Sequence, residues 1–469
     1  MADGLDHPVF GGVRADGGWR ALRPNWRVLG VYLAGVFIGA LDTSVIGPAL
    51  SLIAGGFHVT LVATAWAVSI YTVAYVASTV LAGAGGDRYG RRRVFTAGIL
   101  AFGVASAIAA VSGRFWLFLA ARALQGAGAG AVYPNAQAEG IAQFPAQRRG
   151  MALGIFGAVF GLAAIIGPNV GGALAQWVGW PAIFLINIPF VLLVLLLVRR
   201  TPEALAPGDA TIPDWLGGIS FGGFLASALL ALSAGGSGGR LAGVGAALVC
   251  GVVFLSRQRR ATRPFLDTEP LTNRAGMAMI AGAALIGLDM SAAVFIPTLV
   301  QDRLHFSVFA SGVALMPAAL SGAVLAGVGG VLTDRMGPRG ILQVGLVAGA
   351  VGGVLLALPG LTLLTFVLAM LALGVATAFT MGAPLNRMAL GLYRDEQAGE
   401  ALSLVAVFRA VGLAAGPIVL TLLLSRHGWA GMYGGVAVAS VLGVLLFFAV
   451  PDIRPLPAPR RSTATGRGD

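Results

Sequence analysis

Apolar runs of about 17 to 25 residues, the length that carries a helix across a bilayer, recur along almost the whole chain with short polar connectors between them. Fourteen such helices are predicted, near residues 27–50, 61–82, 92–112, 115–138, 150–170, 180–198, 215–234, 240–256, 275–300, 308–331, 340–358, 361–386, 398–424 and 429–450. The 26 residues ahead of the first run are polar and glycine-rich. They contain no apolar signal-peptide core, so the first run is expected to be a retained span.

Composition agrees with an all-α membrane protein. Of the 469 residues, 57% are hydrophobic and 11% charged, with a mean hydropathy of +0.86. A soluble chain carries about a quarter charged residues to cover its surface. The net charge of +12 comes entirely from arginine, since there is no lysine. That absence excludes a Walker A phosphate loop and a Schiff-base enzyme. Cys250 stands alone in an apolar stretch, and the four histidines show no ligand spacing. No metal site, cofactor or catalytic residue is therefore expected.

The arginines also set an expected orientation. With fourteen spans, 25 of them fall in the two tails and the connectors on the same side, against four (Arg114, Arg240, Arg303 and Arg426) on the other side. The positive-inside rule makes the heavy side, with both termini, cytoplasmic. Clusters between apolar runs are a topology signal rather than a nucleic-acid footprint.

Charge inside a span is costly, so the few ionisable residues away from span ends carry the most information. They are Asp42, Arg122, Asp289 and Arg409. A carboxylate so placed can exchange a proton for a cationic ligand, and a permanently charged arginine is a natural partner for it. Asp42 lies in a polar island, Leu41-Asp42-Thr43-Ser44, followed by the helix-disturbing Gly47-Pro48. Glu139 and Glu400 fall near span ends, where a solvated carboxylate is the simpler reading.

The chain also repeats itself. Gly83–Arg93 reads GAGGDRYGRRR and Gly330–Arg339 reads GVLTDRMGPR, so Asp87-Arg88 has a counterpart in Asp334-Arg335. Asp42 precedes Asp87 by 45 residues, and Asp289 precedes Asp334 by the same 45. Gly161-Leu-Ala-Ala and Gly412-Leu-Ala-Ala are each followed by Gly-Pro, and Gly179-Trp180 matches Gly428-Trp429. The offset stays between 247 and 251. Two six-helix bundles, 27–198 and 275–450, are expected, joined by a linker at 199–274 that carries two extra spans, with tails at 1–26 and 451–469. Parallel repeats with a site at their interface near the midplane are a transporter architecture.

These residues resemble the major facilitator superfamily and, within it, the fourteen-span drug:proton antiporters. The superfamily's cytoplasmic motif is met at Gly83, Asp87, Arg88, Gly90, Arg91, Arg92 and Arg93. The first-span pattern is met by Leu41, Asp42, Ser44 and Ile46, although Gly47 and Pro48 stand where Asn and Val are usual. The fourth-span pattern is met at Arg122, Gln125, Gly126 and Gly128, and the antiporter pattern at Gly167, Pro168, Gly171 and Gly172. Phe184 to Pro189 also looks like that group's sixth span.

The resemblance implies alternating access, in which an inward proton gradient drives export of a lipophilic drug-like molecule, cationic or zwitterionic. Asp42 would be the principal proton and cation site, Arg122 its partner, and Asp289 a second carboxylate facing it from the other bundle. Asp87 with its arginines would act as a conformational latch. Gly150, Gly154, Gly157 and Gly161 recur at helical spacing, a face stripped of side chains that lets another helix approach. The expected partners are the small molecule, protons and the bilayer, with the protein a monomer. The alternative on the same fold is proton-coupled uptake of a small solute. A membrane scaffold lacks a partner-binding domain, and Asp42 with Asp289 as an aspartyl dyad is disfavoured by their equivalent places in two repeats.

Overall fold

The computed structural model describes residues 26–144, 149–201, 214–260, 273–381, 383–392 and 398–451. Both predicted tails, apart from their innermost residues, lie outside these ranges. Every regular element among the described residues is helical: α1 (Trp26–Phe57), α2 (Leu61–Tyr89), α3 (Arg91–Val111), α4 (Phe115–Ala142), α5 (Arg149–Trp177), α6 (Ala182–Leu185), α7 (Asn187–Val198), α8 (Trp215–Ser233), α9 (Ser237–Arg260), α10 (Arg274–Ser291), α11 (Ile296–Arg303), α12 (Val308–Val313), α13 (Met316–Met336), α14 (Pro338–Ala357), α15 (Leu363–Thr380), α16 (Ala383–Leu392) and α17 (Ala398–Phe448), with a 3-10 turn at Ala292–Phe295.

Local chemistry places the helix starts. Thr60, Asp214, Asn273, Ser307 and Thr362 each accept a hydrogen bond from the backbone N–H three residues on, satisfying one of the donors a helix leaves open at its beginning. Between α2 and α3 the chain turns on a single residue, Gly90, with φ 99°, and between α13 and α14 on Gly337, with φ 87°. A side chain is disfavoured in that conformation. The two glycines are 247 apart, so the repeat read in the sequence is a repeat of turns.

Twelve of the helical stretches are long and apolar enough to cross a membrane, two fewer than the fourteen expected. Two local features account for the difference. The sixth apolar run, Ala182–Val198, is short and interrupted at Ile186, between α6 and α7. The last two runs join in α17, which breaks at Gly428 (φ 66°, ψ −167°) into two helices meeting at a corner.

Tyr32, Phe95, Phe102 and Phe156 are buried in a core shared by α1 to α5 and α7, Met279, Leu342, Met388 and Phe447 in one shared by α10, α14, α16 and α17, and a third core, with Leu50, Phe184, Phe295 and Ile418, joins the two halves. Glycines bring helix backbones together in both. A Cβ on Gly167 would collide with Ser44 Oγ, and one on Gly416 with Ser291 Oγ, so α5 lies on α1 as the first part of α17 lies on α10. The exposed surface is rich in leucine and valine, including Leu192, Leu196, Val324 and Leu364, as suits a lipid-facing wall.

The hairpin α8–α9 sits outside the bundles. Gly218 and Gly222 of α8 press on Leu81 and Ala77 of α2, while α9 reaches the rest of the protein through α8. Only 6% of the apolar window of α9 is buried, against 61% for α1. Arg257 of α9 pairs with Asp214 at the start of α8 and fixes the hairpin ends.

Because a Cβ on Gly412 would strike the Ala284 carbonyl, Gly412→Val is expected to lower stability by about 1–3 kcal/mol. Gly157→Ala, where a Cβ meets nothing within 4 Å, is expected to change it little. Thermal unfolding of the purified protein in detergent separates the two.

Candidate functional site

The fourth helix carries Arg122 and Gln125 three residues apart, a spacing that puts both on one helix face. Both turn inward toward Asp42 of α1. Arg122 Nη1 donates to Asp42 Oδ2 at 2.6 Å and also to Gln125 Oε1, while its Nε donates to the Ala67 carbonyl at 3.1 Å. The guanidinium lies 4.3 Å from the Tyr71 ring centre, a favourable place for a cation. Asp42 Oδ1 accepts from Gln125 Nε2 at 2.7 Å and from Asn187 Nδ2 at 3.0 Å. Both amides donate to Ser106 Oγ as well, at 2.9 and 3.3 Å, and that hydroxyl donates to the Phe102 carbonyl.

Asp42 and Arg122 are each 1% exposed. In so dry a place an unpaired charge is expensive, and a matched pair with its remaining donors and acceptors satisfied is tolerated. Asn187 opens α7, and from there its side chain reaches the pair. Composition shows Ser106 only as an isolated polar residue in an apolar run, and sequence reasoning missed its part.

Asp289 shares no hydrogen bond with Asp42 among the described residues. Its Oδ2 accepts from Ser440 Oγ of α17 at 2.6 Å, within the second bundle, and its Oδ1 has no hydrogen-bond partner. The two carboxylates therefore form no hydrogen-bonded dyad. At the offset of the repeat Arg122 falls on the apolar stretch Ala369-Met370-Leu371, so Asp289 has no equivalent arginine. Arg409, on α17, lies apart from both aspartates. One long hydrogen bond, 3.4 Å, runs from its Nη1 to the Met381 carbonyl, and its electrostatic neighbours are Tyr75 and Tyr133 of the first bundle.

The motif after α2 is at the helix ends. Asp87 pairs with Arg91, four residues on, and Gly86 leaves room for Asn135 of α4. Gly83 lies against Pro134, Arg88 sits over the Tyr89 ring, and Gly90 makes the turn. In the second half Arg335 is exposed on the last turn of α13, and the side chain of Asp334 lies outside the described residues.

The antiporter pattern forms the junction between the halves. Gly167 and Gly171 press α5 onto Ser44 and Val45 of α1, whereas Gly172 meets the backbone of Val308 and Phe309 in α12. Gly312 of α12 packs against the Pro168 carbonyl. Gln176 accepts from the Phe309 N–H at 2.8 Å, and Trp177 stacks on Phe309 at 5.3 Å. At the same end of α1, Gln301 of α11 accepts from Ser51 at 2.7 Å and donates to the Pro48 carbonyl at 3.2 Å. Gly47 lets Val294 approach there, which gives a structural use to the unusual Gly47-Pro48.

At its other end, α5 is bare. Gly154 and Gly161 are 18 and 11 residues from Gly172, so all three share a face on a 3.6-residue helix. Nothing lies within 4 Å of a Cβ at Gly154, Gly157 or Gly161, nor at Gly327 or Gly330 of α13. Among the described residues the close approach expected along the early glycines is thus absent from this conformation, while α5 meets α12 closely at the end near Gly172. The opposite seam, between α2 and α17, is packed by Val76, Leu81, Leu404 and Val407 and covered by Phe221 of α8.

Two repeated helical bundles that meet at one end of a seam and part at the other, with ionisable residues buried within, define a membrane transporter. The chain belongs to the Major Facilitator Superfamily, whose sequence profile matches residues 32–417. It is a multi-pass membrane protein of a family of transporters rather than enzymes. It is 31% identical over 455 residues to the puromycin resistance protein pur8 of Streptomyces alboniger, covering 91% of this chain and 90% of that one. It is 29% identical over 408 residues to the uncharacterized MFS-type transporter YfiU of Bacillus subtilis, covering 84% and 78%. Among solved structures, the inward open conformation of the xylose transporter XylE from E. coli aligns with a TM-score of 0.66 at 14% identity, over 92% of this chain and 97% of that one.

Asp42→Asn leaves Arg122 buried without its counter-charge and is expected to cost about 3–5 kcal/mol of stability. Joining it to Arg122→Gln, which leaves no charge at all, is expected to recover much of that loss. A double-mutant cycle on thermal unfolding checks this, and additive losses would show that the pair is not coupled.

Proposed function

We propose that the protein is a proton-coupled antiporter that exports lipophilic small molecules by alternating access, crossing the membrane fourteen times with both termini in the cytoplasm. The single observation that carries this reading is the α5 face, closed against the other half at Gly172 and vacant at Gly154 and Gly161. The vacant end belongs to the arginine-rich side. On the proposed topology this is the inward-facing state, and the glycine face is the surface on which α13 closes when the halves rock.

Fourteen crossings are supported by the length of the last helical stretch. The apolar part of α17, Ala401–Phe448, has 48 residues, more than twice what one crossing needs, and Gly428 divides it. The run Ala182–Val198, 17 residues with a break, supplies the sixth crossing.

Coupling is assigned to Asp42. Its carboxylate accepts from Arg122 and from the Gln125 and Asn187 amides. Protonation removes the charge that balances Arg122 and loosens the joint of α1, α4 and α7. Because Arg122 already neutralises Asp42, a purely cationic cargo has no unmatched carboxylate at that position, and of the two charge types implied by the sequence the zwitterionic is favoured. Export is supported by the resistance name of pur8 and by the Gly-Pro junction at Gly167 and Pro168. Uptake on the same fold remains the second reading, since XylE carries xylose on a similar framework.

The test is proton release on drug addition to proteoliposomes. The wild type is expected to release protons, and Asp42→Asn, reconstituted to the same density, to move drug without them. Unchanged coupling in the variant removes Asp42 from the role, and proton uptake together with solute favours symport. A second test concerns the glycine face: Gly161→Leu is expected to keep wild-type stability, since the space is open here, yet to reduce transport at least about tenfold by blocking closure. Normal transport in that variant would exclude α5 as the closing surface.

A further inference from the structure

The two intramembrane arginines differ in how their donors are used. A guanidinium carries five N–H donors and stays charged at any physiological pH. Arg122 spends its donors on a carboxylate, an amide oxygen and a backbone carbonyl, and lies over Tyr71. Arg409 makes one hydrogen bond, at the long distance of 3.4 Å, to the Met381 carbonyl at the end of α15. Among the described residues it forms no ion pair.

Its position makes that shortage expensive. Arg409 is eleven residues into α17, about 16 Å from the start of the helix, close to half a bilayer's hydrocarbon thickness. Gly287 of α10 packs so closely on the Arg409 backbone that this part of α17 is fixed. The neighbouring residues Val407, Phe408 and Ala410 belong to the cluster that joins α17 to α2 of the first bundle. The side chain therefore sits at the interface of the halves, with the hydroxyls of Tyr75 and Tyr133 in electrostatic reach.

Four of the described carboxylates are engaged elsewhere. Asp42 is held by Arg122, Asp289 by Ser440, and Asp302 by the Trp429 indole at the outer end. Glu139 is fully buried with an interaction of its own.

Aromatic surface surrounds the unspent cation. Tyr71 and Tyr75 stack with ring centres 6.4 Å apart, and Tyr133 meets Phe160 of α5 edge to face at 5.3 Å. The Tyr133 hydroxyl accepts from Gln137, which fixes its direction. Phe160 is 39% exposed and adjoins the vacant glycine face, so the aromatic group borders the open side of the seam.

We propose that Arg409, with the Tyr75 and Tyr133 hydroxyls, is a binding subsite for an anionic group of the transported molecule, whose aromatic body lies against Tyr133 and Phe160. This rests on the exporter reading and narrows its cargo to aromatic amphiphiles bearing a carboxylate or similar anion, alone or as zwitterions. The cargo's anion completes the donor set of Arg409, and bidentate geometry is what guanidinium recognises best. A merely structural Arg409, capping the α15 carbonyls, would be indifferent to the charge of the cargo.

A matched pair of fluorescent probes separates these roles. Rhodamine 110 carries a free carboxylate, and rhodamine 123 is its methyl ester. In proteoliposomes the wild type is expected to transport rhodamine 110 in preference to the ester. Arg409→Gln is expected to lower the ratio of the two rates at least about tenfold, as loss of a partner from a desolvated charge pair does. Arg409→Lys, which keeps the charge but loses the planar fork, is expected to lower the ratio by less than Arg409→Gln does. An unchanged ratio in Arg409→Gln overturns the subsite, whatever happens to the absolute rates. Wild-type transport of the ester alone, with proton release, overturns the subsite and leaves the exporter reading standing, whereas transport of neither probe removes both.

Discussion

The hydrocarbon core of a bilayer offers no water to a charge, so each ionised side chain inside it must find its partner within the protein or in what the protein binds. Asp42 and Arg122 meet that demand inside one bundle. Their contact draws α1 and α4 together, and the remaining lone pairs of the carboxylate bring in Asn187 at the head of α7, with Ser106 of α3 completing the network. Four helices thus share one polar knot in an otherwise apolar core. Apolar packing alone tolerates many registers. A buried pair with defined donors selects among them and gives the bundle a joint that changes when its charge changes.

The second bundle repeats the frame without repeating the knot. Gly416 lies on Ser291 as Gly167 lies on Ser44, and Gly337 turns the chain as Gly90 does. Asp289 occupies the place of Asp42 but meets only Ser440. The second half instead places its arginine on α17, against the tyrosines of the first half.

Much of this was legible in the sequence because membrane insertion leaves broad marks. Apolar runs, arginine clusters and the repeat of Asp-Arg-x-Gly fix the class of protein and the pairing of halves. Asp42 with Arg122 was legible too, since two opposite charges in apolar runs need each other. Three things were not. Whether Asp289 faces Asp42 depends on helix rotation, which a hydrophobic run on all sides does not encode. The joining of the last two apolar runs into one helical stretch turned on Gly428, a single residue at which the helix bends. The vacancy beside Gly154 and Gly161 belongs to a conformation, and a glycine-lined face reads the same in sequence whether its partner is present or withdrawn.

The central claim is that the charge on Asp42 sets which end of the α5–α13 seam is open. Spin labels on Leu162 and Val324, both exposed in this state, report the width of that seam by pulsed electron resonance once Cys250 is replaced by serine. In the wild type the distance distribution is expected to shift between alkaline and acidic buffer, and in Asp42→Asn to stay fixed at the acidic form. An equal shift in both proteins, or none in the wild type, would contradict the account.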